Sequence, residues 1–133
     1  AGEYQTSGGA FLMVWTHIPA GRTPIGQVVA QNINLQGQSF RLFVGRRDEG
    51  LAANGTDGAS PVISYVANGT INDYQFDLNV FIQDAIQRAQ TGGLRGLQFG
   101  ANLFLTDIFA GFEIWNGGAG LRLNEFTADV VPR

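Results

Sequence analysis

Apolar residues, many of them β-branched or aromatic, cluster in short runs that are bounded by glycine, proline and polar residues, and such runs are typical of β-strands. They predict strands over residues 10–18, 27–35, 38–44, 61–67 and 71–76. Gln36-Gly37 lies between the second and third of these and predicts a hairpin turn, since glycine tolerates the positive φ of tight turns. Residues 97–115 and 121–131 are also β-rich, with a turn at 118–120 between them. The pattern therefore predicts a mainly β protein.

One segment has a different pattern. Residues 78–90 carry apolar side chains at the three- and four-residue spacing of an amphipathic helix. Asp77 precedes the segment and can cap its first turn, and Gly92-Gly93 can end it, because glycine adopts the left-handed backbone found after helix C-termini. We therefore expect one α-helix near 78–90.

The composition fits a single domain over residues 1–133. The sequence holds 19 glycines, which suit many turns, and no cysteine, so a folded core must form without disulfides. With no cysteine and one histidine, His17, the chain offers no cluster of the residues that usually bind transition metals. We expect no metal, no cofactor and no catalytic role for His17.

Charge and hydropathy exclude two classes of partner. The formal net charge is −3 and the longest basic run is Arg46-Arg47, so the basic surface of a nucleic-acid-binding protein is missing. No apolar run reaches the eighteen residues that indicate a membrane span. We expect neither nucleic acid nor membrane as a partner.

Two short motifs bear on localisation. Asn54-Gly55-Thr56 and Asn68-Gly69-Thr70 match the acceptor sequence for N-glycosylation, and they are equally typical of Asn-Gly turns. The chain begins at Ala1, which we interpret as a processed N-terminus. Both features fit a secreted, extracellular protein.

Two stretches carry a resemblance to a known family: residues 12–15, Leu-Met-Val-Trp, and residues 110–118, Ala-Gly-Phe-Glu-Ile-Trp-Asn-Gly-Gly. They resemble the nucleophile motif and the acid/base motif of glycoside hydrolase family 12, and weaker matches lie between and after them in the family's order. The resemblance implies an antiparallel β-sandwich, the concanavalin-like jelly roll, and endo-β-1,4-glucanase or xyloglucanase activity. It also implies that strands at the N-terminal side of the family domain have no counterpart in this chain.

The resemblance fails at the residue that matters most for hydrolysis. Phe11 stands where the family has its nucleophilic glutamate, and residues 4–47 contain no Asp or Glu. Retaining hydrolysis needs two carboxyl groups about 5 Å apart. Glu113 matches the family acid/base, and Phe109 replaces a glutamine that the family usually has four residues earlier. This count of carboxylates argues against an active hydrolase.

Every second residue of a strand faces the same side of its sheet, and this rule together with the resemblance predicts one modified cleft. Its ligand-binding side chains would be Trp115, Trp15, Met13, Phe11 and Phe109, with Glu113 at the acid/base position. Each also has a plainer interpretation: Glu113 as a partly buried carboxylate satisfied by its neighbours, and Trp15 as a core residue.

Three functions remain open. The first is a secreted, non-catalytic relative of the family that binds a β-glucan such as xyloglucan, or another ligand, in this cleft. The second is a structural or assembly subunit that buries its apolar cleft face against a neighbouring chain. The third is one half of a two-chain endo-β-1,4-glucanase. Because an open sandwich exposes strand edges, we expect self-association or a companion chain that completes it.

Overall fold

The computed structural model describes residues 9–46 and 60–132, which contain four strands and one α-helix. The chain divides into two compact units between Leu103 and Phe104. All the regular elements belong to the first unit. The mainly β class with a single helix is confirmed, and it agrees with the jelly-roll sandwich of the family.

The first unit is built on one four-stranded sheet. Its strands are β1 (Phe11–Trp15), β2 (Gln27–Leu35), β3 (Gln38–Arg46) and β4 (Pro61–Ala67), in the spatial order β1-β4-β3-β2. The pairs β2–β3 and β3–β4 are antiparallel, whereas β1 runs parallel to β4. β1 is shorter than the predicted strand over 10–18, and the other three lie within two residues of their predicted bounds.

The hairpin between β2 and β3 turns where the sequence predicts. Gln36 and Gly37 both have positive φ, 49° and 78°, which is the backbone of the tight turns that match strand twist. Within β2 the pairing slips twice, between Val28 and Ala30 and again before Ile33. These bulges make β2 the irregular edge of the sheet.

The predicted helix is confirmed as α1, Leu78–Gln90. The carboxylate of Asp77 accepts a hydrogen bond of 2.9 Å from the backbone N–H of Asn79, and this capping supplies a partner for one of the first-turn donors. At the other end, the N–H groups of Gly92 and Gly93 donate to carbonyls of the last helical turn, and Gly92 has φ of 77°. This is the glycine termination that the sequence indicates.

Helix α1 packs on one face of the sheet. Phe81 makes edge-to-face contacts with Phe40 and Tyr65, each with ring centroids 5.2 Å apart. Around these rings lies the core: Ile33, Leu42, Val44, Ile63, Ala67, Ala85, Leu94 and Leu97. The helix-side face of the sheet is therefore fully used for packing.

Three predicted strands are wrong. Residues 71–76 form an irregular connection, in which the stacked rings of Tyr74 and Phe76, 4.6 Å apart, pack against the core instead of alternating across a sheet. Residues 97–115 and 121–131 contain no strand either. A run of β-branched and aromatic residues favours a strand, but a strand also needs a neighbouring strand for its backbone hydrogen bonds. In the described part of the second unit no two segments pair in this way.

Candidate functional site

Strand β1 presents three of the predicted site residues on one face. Leu12 and Val14 pack against the helix-side core, so Phe11, Met13 and Trp15 point to the opposite face of the sheet. Phe11 is 55% exposed, and Met13 and Trp15 are half-buried. Trp15 is thus neither a fully buried core residue nor an open platform.

Strand register extends this face across the sheet. Met13 pairs with Ser64, and Ser64 pairs with Phe43. Two residues further along β4, Val66 pairs with Trp15 of β1 on one side and with Arg41 of β3 on the other. We call this surface the cleft-side face and define it by eight residues: Phe11, Met13, Trp15, Val62, Ser64, Val66, Phe43 and Arg41.

The cleft-side face contains no carboxylate, because none of the four strands has an Asp or a Glu. Phe11 lies at the solvent-exposed start of β1, where the family resemblance places the nucleophile. Hydrolysis with retention needs a carboxylate there. Within the sheet, no other strand residue can replace it.

Sequence reasoning missed two polar residues of the cleft-side face. Ser64 is fully buried, and its hydroxyl has no hydrogen-bond partner among the described residues. Arg41 is half-buried, and its guanidinium carbon lies 5.7 Å from the centroid of the Phe43 ring. Parity along 38–44 would have put Arg41 and Phe43 on one face, but the pairing of β3 with β4 is not visible in local sequence.

Glu113 and Trp115 meet in the second unit. The indole Nε1 of Trp115 donates a hydrogen bond of 3.1 Å to Oε1 of Glu113. Trp115 is 42% exposed and Glu113 is exposed as well. Glu113 is therefore more exposed than the plainer interpretation expected, and Trp115 is the neighbour that hydrogen-bonds its carboxylate.

A glycine-rich turn follows this pair. The N–H of Leu121 donates to the carbonyl of Gly118 over 3.2 Å, and Gly118 and Gly120 have φ of 101° and 87°. The turn predicted at 118–120 is confirmed. Phe109, the remaining predicted site residue, is 85% exposed.

The structure thus brings the predicted residues together in two groups. Phe11, Met13 and Trp15 share the cleft-side face of the first unit, and Glu113 and Trp115 are hydrogen-bonded in the second. These two groups belong to different units, so a single cleft formed by all six residues stays a prediction.

His17 has a structural contact. His17 lies just after the end of β1, and its ring nitrogen Nδ1 is 2.8 Å from the hydroxyl of Thr70. The neighbouring Asn68 donates from its side chain to the Ser39 hydroxyl at 2.7 Å, and its glycosylation stays a prediction, while Asn54 lies outside the described residues. Within residues 9–46 and 60–132, no group of three acidic, histidine or cysteine side chains is arranged to hold a metal ion.

Sequence comparison places this fold and these motifs in a known class. The sequence model of Glycosyl hydrolase family 12 matches residues 1–131, and the chain belongs to that family. A relative from Mycobacterium tuberculosis (strain ATCC 25618 / H37Rv), named as probable cellulase Cel12b, is 26% identical over 119 residues. That alignment covers 90% of this chain and 66% of the relative, slightly less than two thirds of its length. Within the described residues, no helix is both long and apolar enough to span a bilayer.

Proposed function

We propose that this chain is a secreted, non-catalytic member of the family that binds a β-glucan-type polysaccharide. The observation that carries the proposal is the Trp115–Glu113 pair, with a hydrogen bond of 3.1 Å between exposed side chains. A sugar presents an apolar C–H face and polar hydroxyls, so it favours an aromatic ring beside a hydrogen-bond acceptor. Because such polysaccharides lie outside the cell, the proposal includes secretion.

The proposal that the chain is non-catalytic rests on the absence of a second carboxylate at the position of the nucleophile. Phe11 occupies the strand position that the family uses for its nucleophile, and the four strands have no acidic residue to act in its place. Phenylalanine cannot attack an anomeric carbon or activate water. A lone carboxylate at Glu113 is able to bind a hydroxyl but lacks the partner that double displacement requires.

The name of the mycobacterial relative suggests which ligands to test first. It is named as a probable cellulase, so cello-oligomers come first, followed by mixed-linkage glucan and xyloglucan. Binding is followed by calorimetry for every variant, and by tryptophan fluorescence for the proteins that keep Trp115.

Variants of the second unit test the pair directly. We expect Trp115→Ala to weaken binding by at least tenfold, because the stacking ring is lost, and Glu113→Gln to weaken it several-fold. Phe104→Ala is the matched control, since Phe104 is an aromatic residue of the same unit that is 92% exposed. Absence of binding to all three glucans contradicts the proposal. Release of reducing ends that Glu113→Gln abolishes contradicts its non-catalytic part.

A second candidate is an assembly subunit, and a specific observation favours it. The second unit exposes large apolar side chains to solvent, with Phe104, Phe109, Val130 and Val131 each at least 78% exposed. Where such side chains form one contiguous patch, they mark a contact with another polypeptide. Under this proposal a second copy of the chain supplies the cover. Sedimentation at several concentrations tests it, and a strictly monomeric chain would exclude it.

A further inference from the structure

Asparagine is followed by glycine at three places in the chain, Asn54, Asn68 and Asn116. Asn54 lies outside the described residues, whereas Asn68 and Asn116 are both exposed. An asparagine in this setting can lose its side-chain amide without an enzyme, because rotation of its side chain brings Cγ against the backbone nitrogen of the next residue. Glycine has no Cβ to obstruct that approach. The two described sites therefore share one chemistry, and the structure sets them apart.

Hydrogen bonds hold Asn68 in place. Its side-chain amide donates to the Ser39 hydroxyl at 2.7 Å, and its backbone N–H donates to the Ser39 carbonyl at 2.9 Å. Just beyond the glycine, the N–H of Ile71 donates to the carbonyl of Thr16 at 2.8 Å. Both sides of this turn are thus fixed to the rest of the first unit. The amide of Asn68 must leave Ser39 before its Cγ can turn toward Gly69.

Asn116 has neither restraint. It lies in an irregular bend of the second unit and makes no hydrogen bond with the described residues. The N–H of Gly117 also has no hydrogen-bond partner among those residues, and a Cβ built on Gly117 would meet open space. The Asn116 side chain is therefore free to turn toward Gly117, and the attacking nitrogen gives up no hydrogen bond.

We propose that Asn116 is a self-modification site, which deamidates spontaneously in the folded protein and thereby weakens the adjoining ligand site. The backbone nitrogen of Gly117 loses its proton and bonds to Cγ of Asn116, and the side-chain nitrogen leaves as ammonia. Water then opens the cyclic imide on one side of its nitrogen or the other, which gives aspartate or isoaspartate at position 116. The net reaction is the hydrolysis of one amide by water.

The modified residue adjoins Trp115, whose indole donates to Glu113 at 3.1 Å. Either product adds a negative charge beside the Glu113 carboxylate, and like charges repel. Isoaspartate also lengthens the backbone by one carbon between Trp115 and the glycine-rich turn. Both changes disturb the ring and the acceptor to which glucan binding is assigned, so affinity falls as the protein ages. This consequence rests on the proposed function, whereas the modification itself does not.

The test incubates the unglycosylated full chain at mildly alkaline pH and follows both Asn-Gly peptides by digestion and mass spectrometry, which detects the change from amide to acid. We expect Asn116 to be converted about tenfold faster than Asn68, because the hydrogen bonds of Asn68 must open first. In guanidinium chloride the two rates should become similar, since the dipeptide is the same. Equal rates in the folded protein, or a difference that persists in denaturant, would overturn the inference.

A substitution at the site links the reaction to binding. Asn116→Gln blocks the reaction there, because glutamine would have to close a larger ring. Through the same incubation it should keep its initial affinity for a cello-oligomer, measured by calorimetry, while the wild type loses affinity several-fold. Asn124→Gln is the matched control, because Asn124 is an exposed asparagine of the same unit that is followed by glutamate. It should lose affinity as the wild type does.

The possible outcomes distinguish this inference from the proposed function. If the fresh wild type binds no glucan, the proposed function fails and the effect on binding falls with it, while the masses still decide whether Asn116 is modified. If the fresh protein binds and conversion of Asn116 leaves its affinity unchanged, the proposed function stands and the assigned consequence is overturned. An equal loss of affinity in Asn116→Gln and in the wild type also overturns it, because the decline would then have another cause.

Discussion

The hydroxyl of Tyr65 donates a hydrogen bond of 2.7 Å to Oδ2 of Asp84, and this bond joins the middle of the sheet to helix α1. Arg88, one helical turn further on, donates to the same carboxylate oxygen from Nε, also at 2.7 Å. Tyr65 is fully buried. The helix is therefore fixed on the sheet by a polar contact as well as by packed rings.

Removal of this contact should destabilise the fold. Tyr65→Phe keeps the packed ring but deletes the hydroxyl, and a hydrogen bond to a charged acceptor is worth about 2 kcal/mol. We expect the free energy of unfolding in urea to fall by about that amount. Tyr74→Phe is the control. The Tyr74 hydroxyl is less buried, and its hydrogen bonds to backbone carbonyls are longer, at 3.3 Å, so its loss should lower the free energy of unfolding by less. Equal losses in both variants would contradict the argument.

The same hydroxyl predicts a pH dependence at the alkaline end. Burial raises the pKa of Tyr65 well above its usual 10, and the hydrogen bond to Asp84 raises it further. The folded state therefore keeps this proton where the unfolded chain loses it, so stability is intact below about pH 10 and falls as pH rises above it. Unfolding measured between pH 8 and 11.5 should show a shallower decline for Tyr65→Phe than for the wild type, and parallel curves would refute the assignment.

The first unit follows closely from sequence because its signals are local. The turn at Gln36-Gly37, the cap at Asp77 and the glycine end of α1 are each specified by residues within a few positions of one another. The parallel pairing of β1 with β4 is different, since it joins segments about fifty residues apart through backbone bonds that carry no side-chain signature. Local pattern therefore predicted the four strands and the helix of this unit, with one additional strand at 71–76 that does not form, but it did not predict the order of the strands in the sheet.

In the candidate site, too, local sequence predicted some features and missed those that depend on strand pairing. The alternation of side chains along a strand was sufficient to put Phe11, Met13 and Trp15 on one face. Glu113 and Trp115 are hydrogen-bonded in a segment that is not a strand, so strand geometry does not explain their contact. Arg41 and Ser64 were missed because their place on that face depends on which strands are neighbours. In the described part of the second unit, the residue types of strands are present but the pairing is not.

A close backbone approach gives a third prediction. Gly26 and Gly37 both have positive φ, 95° and 78°, but a Cβ at Gly26 would overlap the backbone of Val44, while one at Gly37 would meet open space. We expect Gly37→Ala to cost about 1 kcal/mol from backbone strain alone. Gly26→Ala adds overlap with a strand that cannot move freely and should cost about 3 kcal/mol. Thermal or urea unfolding compares them, and similar costs would mean that β2 and β3 separate easily at this end.

The fourth prediction tests whether Phe11 occupies a nucleophile position. Phe11 is 55% exposed at the start of β1, so a glutamate there should leave the fold intact, as circular dichroism would show. In the family arrangement, Phe11→Glu supplies the second carboxylate, the nucleophile that would act together with Glu113. The variant should therefore release reducing ends from β-glucan above the wild-type level.

Adding Glu113→Gln to that variant should remove the gain, because the acid that protonates the departing oxygen is then lost. Val28→Glu is the matched control, because Val28 is 45% exposed and lies on β2, at the opposite edge of the sheet from β1, and it should give no hydrolysis. A folded Phe11→Glu protein without activity would show that the missing nucleophile is not the only departure from a working hydrolase. Activity that survives Glu113→Gln would show that a different acid acts in this chain.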